Sequence, residues 1–316
     1  MVSVSMLTTS FESRQNVECD HRRVLIIGGS SLVGSHLIGH LGRDRVVFTY
    51  NRSPIPGGIA FDIRAMAMET LDRLATGCSH AVILAGNTNP DACARDPASA
   101  RTLNVEAITA LIDRLDRLGV VPVFTSTEAV FDGRRGRYTE TDPVAPLMTY
   151  AAHKVEIETY LAARSRPYLT VRLARVVTDT PRDATLFSAW LRQIEAGKGI
   201  RCAEDHIFSP IHADDVAAAL AALMTGGHTG LFHLGGPDAL SRLAMLERLV
   251  ETWRAAGHRF DGTLVPCAMA DFATQEPRPR DISLISGKMI AATGILPRSV
   301  DEICRALIRA WFDREV

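Results

Sequence analysis

The apolar run Val24-Leu-Ile-Ile27 stops at Gly28-Gly29, and from Leu32 the apolar residues fall at helical spacing. A run without polar alternation suits a strand buried on both faces, as in parallel sheets covered by helices. Strand, glycine turn and helix in that order make a βα unit, and the pattern recurs. Apolar runs predict further strands at 46–50, 81–85, 120–125 and 168–173. Helical spacing predicts helices over 32–41, 100–118 and 150–163; in the second, Leu103, Ala107, Leu111, Ile112 and Leu115 share a face. This alternation predicts an α/β fold built on a doubly wound parallel Rossmann sheet.

Beyond residue 175 the alternation loses its regularity. Helices are expected over 186–197, 214–224 and 240–253, joined by loops rich in Pro, Gly and Asp. The expected organisation is a flexible N-terminal extension (1–22), a dinucleotide-binding domain (23–175) and a smaller, mixed, mainly substrate-binding C-terminal lobe (176–316).

Several classes are excluded. The longest apolar stretch, 216–224, is far shorter than the roughly 20 residues of a membrane-spanning helix. The first 22 residues carry Glu12, Glu18 and Asp20 and lack the apolar core of a secretory signal. Six cysteines without a C-x-x-C pair argue against zinc and disulfide frameworks and for a reducing cytoplasm. A net charge of −1 with no block of like charge argues against nucleic acid as a partner.

Gly28-Gly-Ser-Ser31-Leu32-Val-Gly34 lies between the first strand and the first helix, the context that a dinucleotide fingerprint requires. Gly28 makes the tight turn, the helix N-terminus faces a pyrophosphate, and Gly34 allows close packing on the sheet. After the second strand comes Asn51-Arg52-Ser53, with no acid to meet a ribose 2′-hydroxyl. Arg52 is instead placed for a 2′-phosphate, so NADP is expected over NAD. Asp62 has two readings, an adenine contact or a helix cap.

Tyr150-Ala-Ala-His-Lys154 places a phenol and an ammonium one helical turn apart. The chain has three lysines against 32 arginines, so a lysine at this spacing suggests a demand for a compact cation. Such a cation lowers the cost of a phenolate and lets a tyrosine act as a general acid. Upstream, Ser126 and Thr127 fall just past a central strand, where ligands bind in open α/β sheets. Thr127 is read as the group that holds a carbonyl oxygen while Tyr150 protonates it. His212, Asp214 and Asp215 could suggest a metal cluster, but acids at the start of a helix suit its dipole, and no metal is expected. His153 points off the Tyr150 face and is expected at the surface or at an interface.

Further segments follow in a fixed order: Ala85-Gly-Asn-Thr-Asn-Pro90, Asn104-Val105, Ser126-Thr-Glu-Ala-Val-Phe-Asp-Gly133 and Tyr138-Thr-Glu-Thr-Asp-Pro143. After Tyr150 and Lys154 come Phe208-Ser-Pro210, His212-Ala-Asp-Asp-Val216, Leu240-Ser-Arg242 and Arg278-Pro-Arg-Asp-Ile-Ser-Leu284. From about residue 23 to 307 the chain resembles the extended short-chain dehydrogenases/reductases, in the branch of dTDP-4-dehydrorhamnose reductase and its sugar-nucleotide-binding relatives. The resemblance implies that Thr127, Tyr150 and Lys154 are catalytic and that Gly28, Ser31, Leu32, Arg52, Ala85 and Gly86 lie on the cofactor. Lys154 would also bond the nicotinamide ribose. It further implies a nucleotide-diphosphate sugar as partner, with Asn104, Ser126, Glu128, His206 and Arg278 on the substrate side, Asn104 as a buried orienting residue and Arg278 on the pyrophosphate. A homodimer is compatible with it.

Three positions depart from the family pattern. Ser31 replaces its middle glycine, Ala151 the glycine after the tyrosine, and Glu128-Ala129 an Asp-Tyr pair. The activity implied is reduction of a 4-keto-6-deoxy sugar. An epimerase or dehydratase that keeps its cofactor is the first alternative, since Glu128 puts an acid beside the threonine. The second is a non-catalytic subunit similar to the regulatory one of methionine adenosyltransferase.

Overall fold

The computed structural model describes residues 23–65 and 67–313; the extension expected over 1–22 lies outside the described residues. Seven strands form one parallel sheet: β1 (Arg23–Ile27), β2 (Val46–Tyr50), β3 (Ile59–Ala60), β4 (Cys78–Ile83), β5 (Val121–Thr127), β6 (Leu169–Leu173) and β7 (Gly230–Leu234). Their spatial order is β3-β2-β1-β4-β5-β6-β7. Neighbours run parallel throughout, with Leu25 opposite Val47 and Ala81, and Thr127 opposite Leu173. The order reverses at β1, between β2 and β4, and leaves a crevice at the carboxyl ends of β1 and β4.

The sheet is covered on both faces because successive strand residues point to opposite sides. Val24 and Ile26 join the core formed with helices α1 (Leu32–Leu41) and, far along the chain, Ala213–Thr225. Leu25 and Ile27 join the opposite core, with α2 (Met68–Ala75) and the long connection between β4 and β5. That connection holds α3 (Pro90–Arg95), α4 (Pro97–Arg101), a π-helical segment (Thr102–Ala107) and α5 (Ile108–Arg117). The single helix predicted over 100–118 is therefore interrupted by one wide π turn that carries Asn104. Its apolar stripe survives in α5, where Ile108, Leu111, Ile112 and Leu115 are buried. Helix α6 (Thr149–Ala162) packs on the same face through Ile157 and Leu161.

The rest of the chain forms α7 (Leu186–Glu195), α8 (Ala213–Thr225), α9 (Arg242–Ala255), α10 (Gly287–Thr293) and α11 (Val300–Asp313). Three two-stranded pairings tie its loops together, one joining Ile207–Phe208 to Leu240–Ser241. The sheet does not end at residue 175. Gly230–Leu234 pairs with β6 as the seventh sheet strand, and α8 covers α1, so the later part of the chain completes the sheet. The strand is short and bounded by glycines, and the sequence reading passed over it. Among the described residues no helix is long and apolar enough to cross a membrane.

Candidate active site

Two cavities meet at the carboxyl ends of β1 and β4 and share Ser31, Leu84 and Thr88 as a common wall. The first, of about 610 Å³, is lined by Gly28, Ser31, Arg52, Arg64, Ala85 and Gly86 among others. Its floor is a backbone turn. Gly28 has φ +97°, and its N–H donates to Thr49 Oγ1 at 3.2 Å, while Gly29 N–H donates to Thr49 O at 2.7 Å. A Cβ on Gly34 would stand 2.6 Å from Gly28 O and 2.8 Å from Gly29 Cα. The close approach that requires this glycine is therefore to the turn itself. Ser31, in the family's glycine position, caps α1 by accepting from Gly34 N at 3.1 Å. A glycine cradle at a helix N-terminus fits the pyrophosphate of a dinucleotide.

Other expected contacts divide. Ala85 and Gly86 line this cavity, and Gly86 stands at φ +148° with Asn104 Oδ1 3.1 Å from where a Cβ would lie. Asn104 itself is buried behind the wall. It accepts from Asn87 N at 2.7 Å and donates to Asn87 O at 3.0 Å, so it holds the loop after β4 and lines neither cavity. Asp62 is engaged locally by Arg64. Its carboxylate accepts from Arg64 N at 2.9 Å and pairs with the Arg64 guanidinium at 2.8 Å, which holds its pKa below the ordinary value. Arg64, which the sequence reading passed over, enters the wall instead.

The second cavity, of about 490 Å³, brings together Thr127, Glu128, Tyr150 and Lys154 from β5, the turn after it and α6. Leu32 lies in this wall, at the junction with the first cavity. Lys154 is buried; its Nζ donates to Thr125 O at 2.7 Å and sits 5.9 Å from the Tyr150 ring centre. Ser126 and Thr127 point differently. The Ser126 hydroxyl donates to Glu158 on α6, whereas Thr127 Oγ1 accepts from Ala129 N at 3.3 Å and favours the ionised form of the nearby Tyr150 phenol. Ser126 is thereby a link within the protein, and Thr127 is the hydroxyl beside the phenol.

Burial sets the proton chemistry here. Tyr150 is pushed up to about 12, because the cavity disfavours a phenolate, against the pull of Thr127 and Arg175. A cation beside the phenol favours its ionised form, but here desolvation outweighs the positive neighbour. The phenol is thus a held proton. Lys154 is brought down to about 8 by the same burial, with Glu158 opposing. Glu128 is pushed up to about 8, and its Oε2 has no hydrogen-bond partner among the described residues. At neutral pH it is a carboxylic acid.

Beyond these groups the cavity turns cationic. Arg175, Arg242 and Arg278 line it together with buried His206, which burial lowers to about 3 and so keeps neutral. Arg278 also pairs with Asp91 at 2.7 Å. Arg242, of the Leu240-Ser-Arg242 segment, and Arg175 are site residues that the sequence pattern alone does not mark. The available signal for Arg175 was its place just after a central strand.

The residues that suggested a metal cluster are occupied otherwise. His212 caps α8, Asp214 pairs with His36 at 2.6 Å, and Asp215 accepts from Arg298 N at 2.9 Å. Among the described residues no group of three or more His, Cys, Asp or Glu is placed to hold a metal ion. His153, expected at the surface or at an interface, is buried within the chain itself.

Comparison with known proteins agrees with this geometry. Residues 22–311 match the family described as the RmlD substrate binding domain. The dTDP-4-dehydrorhamnose reductase of Mycobacterium tuberculosis (strain ATCC 25618 / H37Rv) is 28% identical over 286 residues, covering 87% of this chain and 88% of that protein. A crystal structure of a hypothetical dTDP-4-dehydrorhamnose reductase from Sulfolobus tokodaii superposes with a TM-score of 0.76 at 25% identity, over 88% of this chain and 98% of that one. A dTDP-4-dehydrorhamnose reductase from Bacillus anthracis, solved in complex with NADP, shares the fold with a TM-score of 0.77 at 18% identity, over 92% and 99%.

Proposed function

The chain belongs to the RmlD substrate-binding domain family, and from that premise we propose that it is an NADPH-preferring reductase of a nucleotide-activated 4-keto-6-deoxy sugar. It is an NAD(P)-dependent oxidoreductase of the extended short-chain dehydrogenase/reductase type. One observation carries the finer reading: Thr127, Tyr150 and Lys154 share a cavity whose wall continues into a glycine-floored nucleotide cavity. When bound, the reduced nicotinamide cofactor supplies a hydride. The chain's own groups do the rest. Thr127 orients the carbonyl oxygen, Tyr150 gives it the proton that burial has retained, and Lys154 supports the phenolate left behind. Arg175, Arg242 and Arg278 suit the diphosphate of the substrate. Arg52, with Arg64 in the same wall, supports a preference for a 2′-phosphate.

The test is loss of NADPH absorbance with a panel of dTDP- and UDP-4-keto-6-deoxy sugars, repeated with NADH. Tyr150→Phe is expected to lose about 10²–10⁴-fold in turnover while binding NADPH normally. Turnover retained in that variant overturns the assignment. A second reading is favoured by Glu128, whose buried acid beside Thr127, with Oε2 unpartnered among the described residues, suits an epimerase or dehydratase that retains its cofactor. Cofactor that copurifies, with conversion of sugar but no net NADPH use, would select it. NADPH binding without conversion of any sugar would instead select the non-catalytic subunit.

A further inference from the structure

Helix α6 carries a third polar group one turn beyond the lysine: Tyr150, Lys154 and Glu158 follow at intervals of four and share a face. Glu158 stands outside the cavity wall and is held by a buried ion pair. Arg172 of β6 donates to it from Nη2 at 2.6 Å and from Nε at 3.0 Å, with side-chain exposures of 5% for Arg172 and 10% for Glu158. Behind Arg172 lies His233 of β7, at 3.3 Å. The Ser126 hydroxyl of β5 completes the set by donating to Glu158 Oε1.

Two rungs therefore tie the end of β5 to the catalytic face of α6. Lys154 Nζ holds Thr125 O at 2.7 Å, and Glu158 holds the next residue, Ser126, by its hydroxyl. Thr127 is the residue after that, and it lines the same cavity as Tyr150. We propose that Glu158 is a positioning residue of the catalytic set: its carboxylate answers the Lys154 ammonium and, through Ser126, keeps Thr127 in register with Tyr150. The inference rests on the reductase reading for its consequence, but its two physical claims concern the protein alone.

The charge claim follows from what surrounds the ammonium. Tyr150 and Glu158 face Lys154 from its own helix, Thr125 from β5 and Cys93 from α3, and Glu158 is the largest influence that favours the charged form against burial. The rigidity claim follows from Arg172, whose two-pronged grip fixes the carboxylate. A buried carboxylate paired this closely is costly to maintain for stability alone, since an apolar pair of similar volume is often equally stable.

The chain has only three lysines, Lys154, Lys198 and Lys288, so [13Cε]lysine labelling gives three signals, and Lys154→Met assigns one of them. In Glu158→Gln the Lys154 midpoint is expected to fall by about one pH unit, with Lys198 and Lys288 as internal references. An unmoved midpoint overturns the charge claim. Should Glu158→Gln fail to fold, Glu158→Asp keeps the pair with Arg172 but withdraws the charge, and a smaller fall is expected; none overturns the claim. Ser126→Ala leaves the ion pair in place. It is expected to cut kcat about tenfold at unchanged KM without moving the Lys154 midpoint, and an unchanged kcat overturns the register claim. The titration needs no substrate, so a chain that reduces no keto sugar but shows the shift refutes the reductase reading and leaves the charge claim standing.

Discussion

The nucleotide cavity takes its wall from the turns after β1, β2 and β4, all before residue 104, whereas the catalytic cavity gathers charged groups from Thr127 to Arg278. Backbone shape makes the first. Gly28 turns at positive φ, Gly34 touches the turn, and Asn104 fastens the loop after β4 by two bonds to Asn87. Desolvation of ionisable side chains makes the second, where a tyrosine and a glutamate are raised and a lysine lowered by burial. One region is therefore sensitive to a single added carbon, and the other to a single changed charge.

The sharpest way to break this contrast is Gly34→Ala. The added Cβ meets the backbone of Gly28 and Gly29 at 2.6–2.9 Å, so the turn must move. Overpacking of that kind costs about 1–3 kcal/mol, and spent on the cradle it weakens NADPH binding roughly 10- to 100-fold. Gly39 on the same helix has no atom within 4 Å of the corresponding point, and Gly39→Ala should leave binding unchanged. Titration of both variants with NADPH checks this. Equal behaviour of the two would mean that the cradle is not shaped by contact.

The complementary variant is Arg242→Gln, which removes charge from the second cavity at little change in size. A charge-assisted hydrogen bond contributes about 1.5–3 kcal/mol, so KM for the nucleotide sugar should rise about tenfold or more while NADPH affinity holds. A rise in both constants would show that the cavities are coupled through their common wall at Ser31, Leu84 and Thr88.

This contrast also explains what was legible in the sequence. Backbone chemistry leaves local marks, and the strand, the glycine turn and the helix read directly from nineteen consecutive residues, 23–41. Tyr150 and Lys154 were legible for the same reason, since helical spacing brings them together without help from the rest of the fold. Arg175 and Arg242 meet only because β6 ends near the Ile207–Phe208 pairing with Leu240–Ser241, which no local pattern announces. The glycine-bounded strand β7 was passed over, because its five residues gain their meaning only from pairing with β6. Asn104 was identified as buried and polar, but only the π turn shows that its amide faces Asn87. Local spacing also could not weigh burial against charge, and so the direction expected for Tyr150 was reversed.

Glu128 gives the most direct measure of that burial. Its folded value of about 8 lies above its ordinary value of 4.5, so the folded state binds the proton more tightly than the unfolded one. The stability tied to this proton is complete below pH 4.5, declines as the unfolded chain ionises, and is gone once pH passes about 8. Over that window the slope approaches about 1.4 kcal/mol per pH unit. Glu128→Gln keeps the shape and removes the titration. The variant should therefore melt close to the parent at pH 5 and several degrees above it at pH 8, with the gap growing between the two. Thermal melts of both proteins across that range decide the matter. A gap independent of pH would place the Glu128 carboxylate in contact with water, and the second cavity would then owe its chemistry to its arginines more than to its dryness.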